Sequence, residues 1–160
     1  MTTIDKTTAL SQSILGAELE AAELAALAGA MGVATTRKGD YLVREGEARR
    51  TLFLLADGRL SVCTRGDDGE QAIYQLRVGE VAGTRAFLDG SARKAGLRAD
   101  TESTVLTLEP EDFESLVETH PWVVYKVMRA LFRVTHANLM RMNLESSELR
   151  NYLMKTGGRY

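Results

Sequence analysis

The chain has 160 residues, about the length of one ordinary domain, so two full domains are not expected. Its 20 Lys and Arg against 22 Asp and Glu give a net charge of −2 and a pI near 5.8, which argues against a basic nucleic-acid-binding protein. The apolar fraction of 44 % and the charged fraction of 26 % are typical of a folded globular protein and exclude a disordered one.

The beginning of the chain shows little hydrophobic periodicity. Residues 1–12 are rich in Thr, and we expect a flexible arm there. Between Leu15 and Leu27, leucines recur at helical spacing among Ala and Glu, which predicts a short helical region that ends by Gly32.

Signals for membrane insertion and export are missing from the sequence. The longest weakly polar run, residues 24–34, is about half of the roughly 20 residues that a membrane helix needs. Residues 1–6 lack the basic and apolar regions of a secretion signal. Cys63 is the single cysteine, so no disulfide can form within the chain. We therefore expect a cytoplasmic protein that does not contact a membrane.

Between Arg37 and Leu108, short apolar stretches alternate with glycine turns at strand-length spacing. This pattern predicts an antiparallel sandwich or barrel. The Asp57–Gly58 pair is typical of a hairpin turn, and the segment Gly66–Gly69 serves the next pair of strands. The strand candidates are residues 41–43, 52–56, 60–64, 72–78, 97–99 and 105–108.

The end of the chain is predicted to be helical. Pro110 fits the first turn of a helix that ends before Pro121, and Pro121 can open a second one. Nothing breaks that second pattern until Gly157, so about 35 residues form a helix of roughly 50 Å. The expected organisation is an arm (1–12), a β domain (13–120), a long helix (121–155) and a tail (156–160).

The segment from Val78 to Ala99 carries the strongest functional signal. One helical turn from Thr84 to Leu88, capped by Thr84, fits its first half. From Thr84 to Asp100, four basic side chains stand against two acidic ones, so the local charge is +2. A short helix start beside an arginine is typical of a phosphate site, and the sequence therefore predicts an anion site here.

Here the sequence resembles the cyclic nucleotide-binding domain family, the sensor module of catabolite activator proteins and of cAMP-dependent kinase regulatory subunits. The likeness covers about residues 15–145 and rests on apolar strands separated by glycines at 39, 46, 58, 79 and 83. It includes Lys38-Gly39-Asp40, Arg44-Glu45-Gly46, residues 52–62, Gly79-Glu80 and Arg93-Lys94-Ala95. The resemblance implies a mainly β (α+β) fold, a cyclic nucleotide-binding-type β-jelly roll with an N-terminal helical region and a long C-terminal helix.

The family's phosphate cassette reads approximately Phe-Gly-Glu, an apolar residue, Ala and Leu, and later Arg followed by Ser or Thr and Ala. The resemblance implies that Arg93 pairs with a cyclic phosphate. Thr84 replaces the glutamate that holds the ribose hydroxyl, Arg85 replaces an apolar residue, and Lys94 replaces Ser or Thr. The implied ligand-binding residues are Gly83, Thr84, Arg85, Ala86, Arg93, Lys94 and Ala95.

The missing ribose glutamate leaves three interpretations open. Losing a charge-assisted hydrogen bond forfeits about 1.5 to 3 kcal/mol, but the Thr84 hydroxyl can still bond a ribose hydroxyl of cAMP or cGMP. The cassette can also take another phosphorylated or acidic ligand, with a cyclic dinucleotide sensor as a minor alternative. In the third interpretation, the chain is a ligand-free structural or protein-interaction dimer with a degenerate pocket.

The long helix carries an imperfect heptad pattern. Apolar residues share two heptad positions, and Asn138 lies in one of them as a polar residue that can fix the register. We therefore expect a parallel homodimer. Its predicted contact residues are Val124, Met128, Leu131, Thr135, Asn138 and Met142. In the alternative interpretation, the helix covers the chain's own core through Val123, Val127, Leu131 and Phe132.

Two further features of this helix concern ligands and partners. Val134-Thr135-His136 resembles the Val-Thr-Ser of bacterial activators, which implies Thr135, and His136 beside it, as base contacts. Residues 121–160 carry seven Lys or Arg and two Glu, whereas residues 101–120 carry six acids and no base. Either these neighbouring segments pair with each other, or the basic helix meets an acidic partner.

The function class also depends on motifs that the sequence lacks. It has no CxxC or HExxH metal spacing, no GxSxG nucleophile elbow and no Gly-rich P-loop, so we expect no catalytic residue, no metal and no cofactor. Transcription factors of this family place a helix-turn-helix unit after the long helix, and only residues 156–160 follow here, so no DNA-binding domain is expected. The expected function is a non-enzymatic regulatory sensor or adaptor that acts through an unidentified partner protein.

Overall fold

Helices flank two antiparallel sheets in the computed structural model, which describes residues 4–157. The elements are α1 (Lys6–Ser11), α2 (Ala21–Ala30), β1 (Gly32–Thr36), β2 (Tyr41–Val43), β3 (Leu52–Asp57), β4 (Leu60–Gly66), β5 (Gly69–Leu76), β6 (Val81–Ala82), α3 (Thr84–Asp89), β7 (Gly96–Ala99), β8 (Ser103–Leu108), α4 (Pro110–Glu114), α5 (Leu116–Thr119) and α6 (Pro121–Gly157). The strand orders are β1-β8-β3-β6 and β2-β7-β4-β5. The predicted jelly roll with flanking helices is confirmed.

Strand β3 shows how the layers are held together. Successive side chains of a strand point to opposite faces of the sheet. Leu52 and Leu54 belong to the cluster under the helices, whereas Phe53 and Leu55 belong to the cluster between the sheets. Because both faces of this strand are covered, all four side chains are buried. An uninterrupted apolar run in the sequence thus marks the central layer of the domain.

The two predicted hairpin turns have different outcomes. The Gly66–Gly69 turn is confirmed, since Gly66 pairs with Gly69 where β4 meets β5. The prediction that Asp57–Gly58 closes a hairpin is wrong, because β3 and β4 lie in different sheets. Gly58, with φ +100°, lies where the chain passes from one sheet to the other. A Cβ on Gly58 would lie 2.2 Å from the Ser103 hydroxyl oxygen.

The flexible arm expected for residues 1–12 is wrong for residues 6–11, which form α1. Asp5 caps this helix, because its carboxylate accepts hydrogen bonds from the Thr7 backbone N–H and the Thr8 hydroxyl. Leu10 is fully buried in the cluster under the helices. One apolar anchor and one cap therefore order a segment that is too short for a periodic signal. Residues 1–3 lie outside the described residues.

The long helix predicted from Pro121 is confirmed as α6. Val123, Val127 and Leu131, spaced four residues apart, are buried against the chain's own core. Leu131 is fully buried, so its assignment to a homodimer seam is wrong. Phe132 is 66 % exposed and does not cover the core as the alternative interpretation expected. From residue 132 to residue 155, only the side chain of Val134 is not exposed.

Ion pairs attach α6 to the N-terminal region rather than to residues 101–120. Lys126 Nζ lies 2.7 Å from Glu23 Oε1, and Glu18 receives both Arg129 at 2.5 Å and Arg133 at 2.6 Å. The expected pairing between the basic helix and the acidic segment before it is therefore wrong for these three cations. Within residues 4–157, no helix is both long and apolar enough to cross a bilayer.

Candidate functional site

A cavity of about 570 Å³ lies between the β-roll and α6. Its size is in the range of ordinary small-molecule sites. The walls come from β2, β4, β5, β6, α3, β7 and α6, so the sheet containing β4 and the long helix both contribute. All seven residues assigned to the phosphate cassette line this cavity: Gly83, Thr84, Arg85, Ala86, Arg93, Lys94 and Ala95.

Helix α3 forms one side of the cavity and is held from outside. Gly83 and Gly90 flank it, both in the left-handed conformation, with φ +92° and +76°. Arg50 donates from Nη2 to the Phe87 carbonyl at 3.2 Å and from Nε to the Ala86 carbonyl at 3.3 Å. The Ala86 carbonyl also accepts from the Gly90 backbone N–H at 3.0 Å. The N-cap is Gly83 and no side chain caps the helix, so the prediction that Thr84 is the cap is wrong.

Arg93 is the most buried cation of the cassette, with only 7 % of its surface exposed. Its Nε donates to the Arg49 carbonyl at 2.8 Å, and its Nη2 donates to the Thr51 carbonyl. The guanidinium carbon lies 5.5 Å from the centre of the Phe53 ring. These contacts fix the plane of the guanidinium beside the cavity.

The charge of Arg93 has no ion-pair partner within residues 4–157. Burial lowers the pKa of its guanidinium from the ordinary value, and the positive charge of Arg49 adds to this, while Glu47 and Glu109 act in the opposite direction. Arginine nevertheless stays protonated in proteins. The cavity is therefore lined by a buried positive charge that backbone carbonyls satisfy only in part.

The other cassette residues are more exposed. Arg85 is exposed, and its Nε lies 3.8 Å from Asp89. Lys94 is also exposed and lines the cavity. Thr84 is half-buried at the first position of α3, and no carboxylate occupies the site of the family's ribose glutamate. The cassette thus retains its cation without that acceptor.

The two residues assigned as base contacts differ in position. Thr135 lines the cavity, and its hydroxyl donates to the Leu131 carbonyl at 2.9 Å. His136 is outside the lining and stacks on Phe132, with 5.7 Å between ring centres. Two residues of the predicted dimer seam, Asn138 and Met142, also line the cavity. The structure therefore brings α6 to the cassette but not through His136.

Three residues of the cavity wall were missed by the sequence analysis. The Tyr74 hydroxyl donates to Glu80 at 2.6 Å, and the other Glu80 oxygen accepts from the Arg77 backbone N–H at 2.8 Å. The Arg141 guanidinium carbon lies 5.9 Å from the centre of the Tyr74 ring. The sequence pattern includes Glu80 only as part of a Gly-Glu pair. It does not single out Arg141, because only the fold brings this part of α6 close to Tyr74 of β5.

A second cavity of about 290 Å³ lies near Cys63. The Glu70 carboxylate in its lining is already engaged, because it accepts from the Tyr41 hydroxyl and lies 3.1 Å from Arg98. Burial raises the pKa of the Cys63 thiol, so the thiol is not activated. Among the described residues, no group of His, Cys, Asp and Glu could hold a metal ion.

The fold and the first cavity place the chain among β-roll domains with a pocket beneath a long C-terminal helix. Residues 34–120 match the family model of the cyclic nucleotide-binding domain, which is more than half of the chain. The chain belongs to the cyclic nucleotide-binding domain family.

Curated relatives share this region. The chain is 38 % identical over 85 residues to cGMP-dependent protein kinase 2 of Homo sapiens, an alignment that covers 51 % of this chain and 11 % of the kinase. It is 30 % identical over 83 residues to potassium/sodium hyperpolarization-activated cyclic nucleotide-gated channel 2 of Mus musculus, covering 52 % of this chain and 9 % of the channel. The chain therefore spans about a tenth of the length of these relatives.

Solved structures give the same fold. A cyclic nucleotide-binding domain from Methylobacillus flagellatus KT superposes with a TM-score of 0.77 at 20 % identity, over 84 % of this chain and 80 % of that one. The N-terminal domain of a transcriptional regulator from Streptomyces coelicolor A3(2) gives 0.73 at 26 % identity, over 84 % of this chain and 94 % of that domain. The predicted family resemblance is confirmed.

Proposed function

We propose that this domain is a non-catalytic regulatory sensor that binds a cyclic nucleotide or another phosphorylated ligand in the cavity beside α3. The observation that supports this most is the buried charge of Arg93, which lines the cavity without a carboxylate partner among the described residues. A buried charge is costly unless it is paired, so an anionic ligand gains more here than at the surface. The names of the two relatives, a cGMP-dependent kinase and a cyclic nucleotide-gated channel, support the same ligand class.

The geometry suggests a role for each part of the lining. Arg93 keeps Nε and Nη2 on backbone carbonyls and retains donors on Nη1 for a phosphate. The Thr84 hydroxyl would bond a ribose hydroxyl, and the Thr135 hydroxyl oxygen would accept from a base. Apolar side chains such as Val62 and Leu139 would cover the base. A ligand so placed would touch both the cassette and α6.

We propose that α6 passes this signal on through a homodimer and a partner protein. The half of the helix beyond the core keeps large apolar side chains exposed, such as Leu144 and Leu149. Exposed apolar surface of this extent is typical of a binding face. The seam predicted from the sequence is retained here without Leu131, which is buried in its own chain, and without Val124, which packs against the same core.

A second candidate function is a ligand-free scaffold. Arg93 already ties its loop to the start of β3 through the carbonyls of Arg49 and Thr51. This contact favours a structural role for Arg93. The cavity would then be a degenerate pocket, and the protein would act through its helix surface alone.

A thermal-shift panel with cAMP, cGMP and cyclic dinucleotides separates these two functions. A sensor should show a rise in Tm with at least one nucleotide, because ligand that binds only the folded state stabilises it. Arg93→Ala should abolish that rise. Arg37→Ala is the control, since it removes an exposed arginine outside the cavity lining. A scaffold should show no rise with any nucleotide at millimolar concentration.

A further inference from the structure

The cavity is more positive than a ligand with one charge requires. Among the described residues, its lining carries four cationic side chains, those of Arg85, Arg93, Lys94 and Arg141, against the single carboxylate of Glu80. That carboxylate is already engaged by the Tyr74 hydroxyl and the Arg77 backbone N–H. A cyclic mononucleotide brings one negative charge, which Arg93 alone can meet.

We infer that the ligand of this cavity is a nucleotide with at least two negative charges, and that Lys94 and Arg141 select for the second charge. The inference rests on the proposed function, because it assumes that a phosphate meets Arg93. The shared chemistry is a dianionic nucleotide, carried either by one phosphomonoester or by two phosphodiesters in one ring.

Arg141 reaches the cavity from α6, whereas the cassette residues come from α3 and from the chain around it. Its guanidinium carbon lies 5.9 Å from the Tyr74 ring centre, and Glu80 holds the hydroxyl of that tyrosine. The aromatic ring therefore positions the cation without consuming its hydrogen-bond donors. Within residues 4–157, no carboxylate forms an ion pair with Arg141.

Lys94 brings a second cation from the loop that carries Arg93. It lines the cavity, and within the described part of the chain it forms no ion pair. Arg85 contributes less, because Asp89 lies 3.8 Å from its Nε. The cations of Lys94 and Arg141 thus approach the same cavity from two elements, which suits a ligand whose charges lie at separate points.

Thr84 fits the same inference. A glutamate at this place would accept from a ribose hydroxyl, but it would also repel a second anionic group nearby. The threonine removes that repulsion and keeps a hydroxyl that can donate or accept. The replaced residue and the added cations change the charge of the lining in the same direction.

The test is a calorimetric titration of the whole chain with cAMP, 5′-AMP and cyclic di-AMP, and with the guanine equivalents. Cyclic AMP and 5′-AMP are matched probes, because opening the cyclic ester adds one negative charge to an otherwise similar molecule. A phosphomonoester has a second pKa of about 6, so 5′-AMP carries this second charge at neutral pH. We expect at least one dianion to bind about tenfold or more tightly than cAMP. Preference for 5′-AMP would identify the monoester form, and preference for cyclic di-AMP the double phosphodiester.

Single variants then assign the selection. Lys94→Ala and Arg141→Ala are each expected to narrow the preference for the dianion over cAMP by about tenfold, the effect of one charge-assisted hydrogen bond. Arg150→Ala is the matched control, because it removes an exposed arginine of α6 outside the lining and should keep the preference. Thr84→Glu is expected to shift the preference towards cAMP.

Three results would overturn the inference or part of it, in distinguishable ways. If cAMP binds as tightly as every dianion, and this depends on Arg93, the cavity does not select a second charge and the proposed function stands. If no nucleotide binds to the wild-type protein, the inference and the proposed function fail together. A preference for dianions that Lys94→Ala and Arg141→Ala leave unchanged would overturn the assignment to these two residues.

Discussion

The guanidinium of Arg93 packs directly against the backbone of Gly83. A Cβ on Gly83 would lie 1.9 Å from Nη1 of Arg93 and 3.0 Å from the Thr51 carbonyl oxygen. Glycine at this place therefore lets the cation pass close beneath the first turn of α3. Two of the residues that the family resemblance assigned to the cassette are thus also linked by close contact.

This contact makes Gly83→Ala more damaging than an ordinary glycine replacement. Gly39 has the same kind of backbone, with φ +89°, but nothing lies within 4 Å of its position for a Cβ. Each substitution should cost about 1–2 kcal/mol for the left-handed backbone. Gly83→Ala should cost at least about 1.5 kcal/mol more, because it displaces the hydrogen bonds of a buried charge. Urea denaturation of both variants measures the difference, and equal losses would contradict the contact.

Replacing Leu131 should affect the stability of the fold, whereas replacing Leu149 should affect the oligomeric state. Leu131 is fully buried, so Leu131→Ala should lower the free energy of unfolding by about 2–5 kcal/mol. Leu149 is 59 % exposed, so Leu149→Glu should change the stability of the β-roll by no more than about 0.5 kcal/mol. If the helix forms the proposed homodimer, Leu149→Glu should reduce the mass measured by light scattering to that of one chain. A wild-type protein with the mass of one chain would contradict the dimer.

We expect the ion pairs of the Glu18 carboxylate to make the protein less stable in acid. Hydrogen bonds from Arg129 and Arg133 lower its pKa in the folded protein below the ordinary value. The folded state thus binds this proton more weakly than the unfolded state does. The stabilisation is present above the unfolded pKa of about 4.3 and is lost as the pH falls through the folded value.

Glu18→Gln tests this linkage. The variant should melt below the wild type at pH 7, because the two arginines lose their shared carboxylate. The gap in Tm should begin to narrow as the pH falls to the ordinary pKa of about 4.3, and it should close below the lowered pKa of the folded carboxyl, where the wild type also loses this charge. A gap that stays constant from pH 7 to pH 3 would show that the charge of Glu18 is not responsible.

Features that the sequence predicted well are local ones. The strand segments, the Gly66–Gly69 turn and the start of α6 at Pro121 follow from side-chain type and spacing, and the structure contains them. The cassette residues follow from the family resemblance, and all of them line the cavity. The β5–β6 region shows the limit of this approach. Strand β6 has only two residues, which is too short for a periodic signal.

The features that the sequence did not predict depend on tertiary contacts. The heptad pattern contains Leu131, but periodicity cannot distinguish a partner helix from the chain's own core. The partner of Lys126 lies in α2 and that of Arg129 just before α2, each more than 100 residues away in the chain. The position of Arg141 in the cavity wall is a tertiary contact too, because it depends on how α6 packs beside Tyr74 of β5.

The most direct test of the account is the dissociation constant of the tightest-binding nucleotide, measured by calorimetry in the wild type, Arg93→Ala and Arg37→Ala. The account predicts that Arg93→Ala weakens binding by about tenfold to hundredfold, the loss of a charge-assisted hydrogen bond. Arg37→Ala, which removes an exposed arginine outside the lining, should bind as the wild type does. Equal dissociation constants in the wild type and Arg93→Ala would contradict a phosphate at this cation.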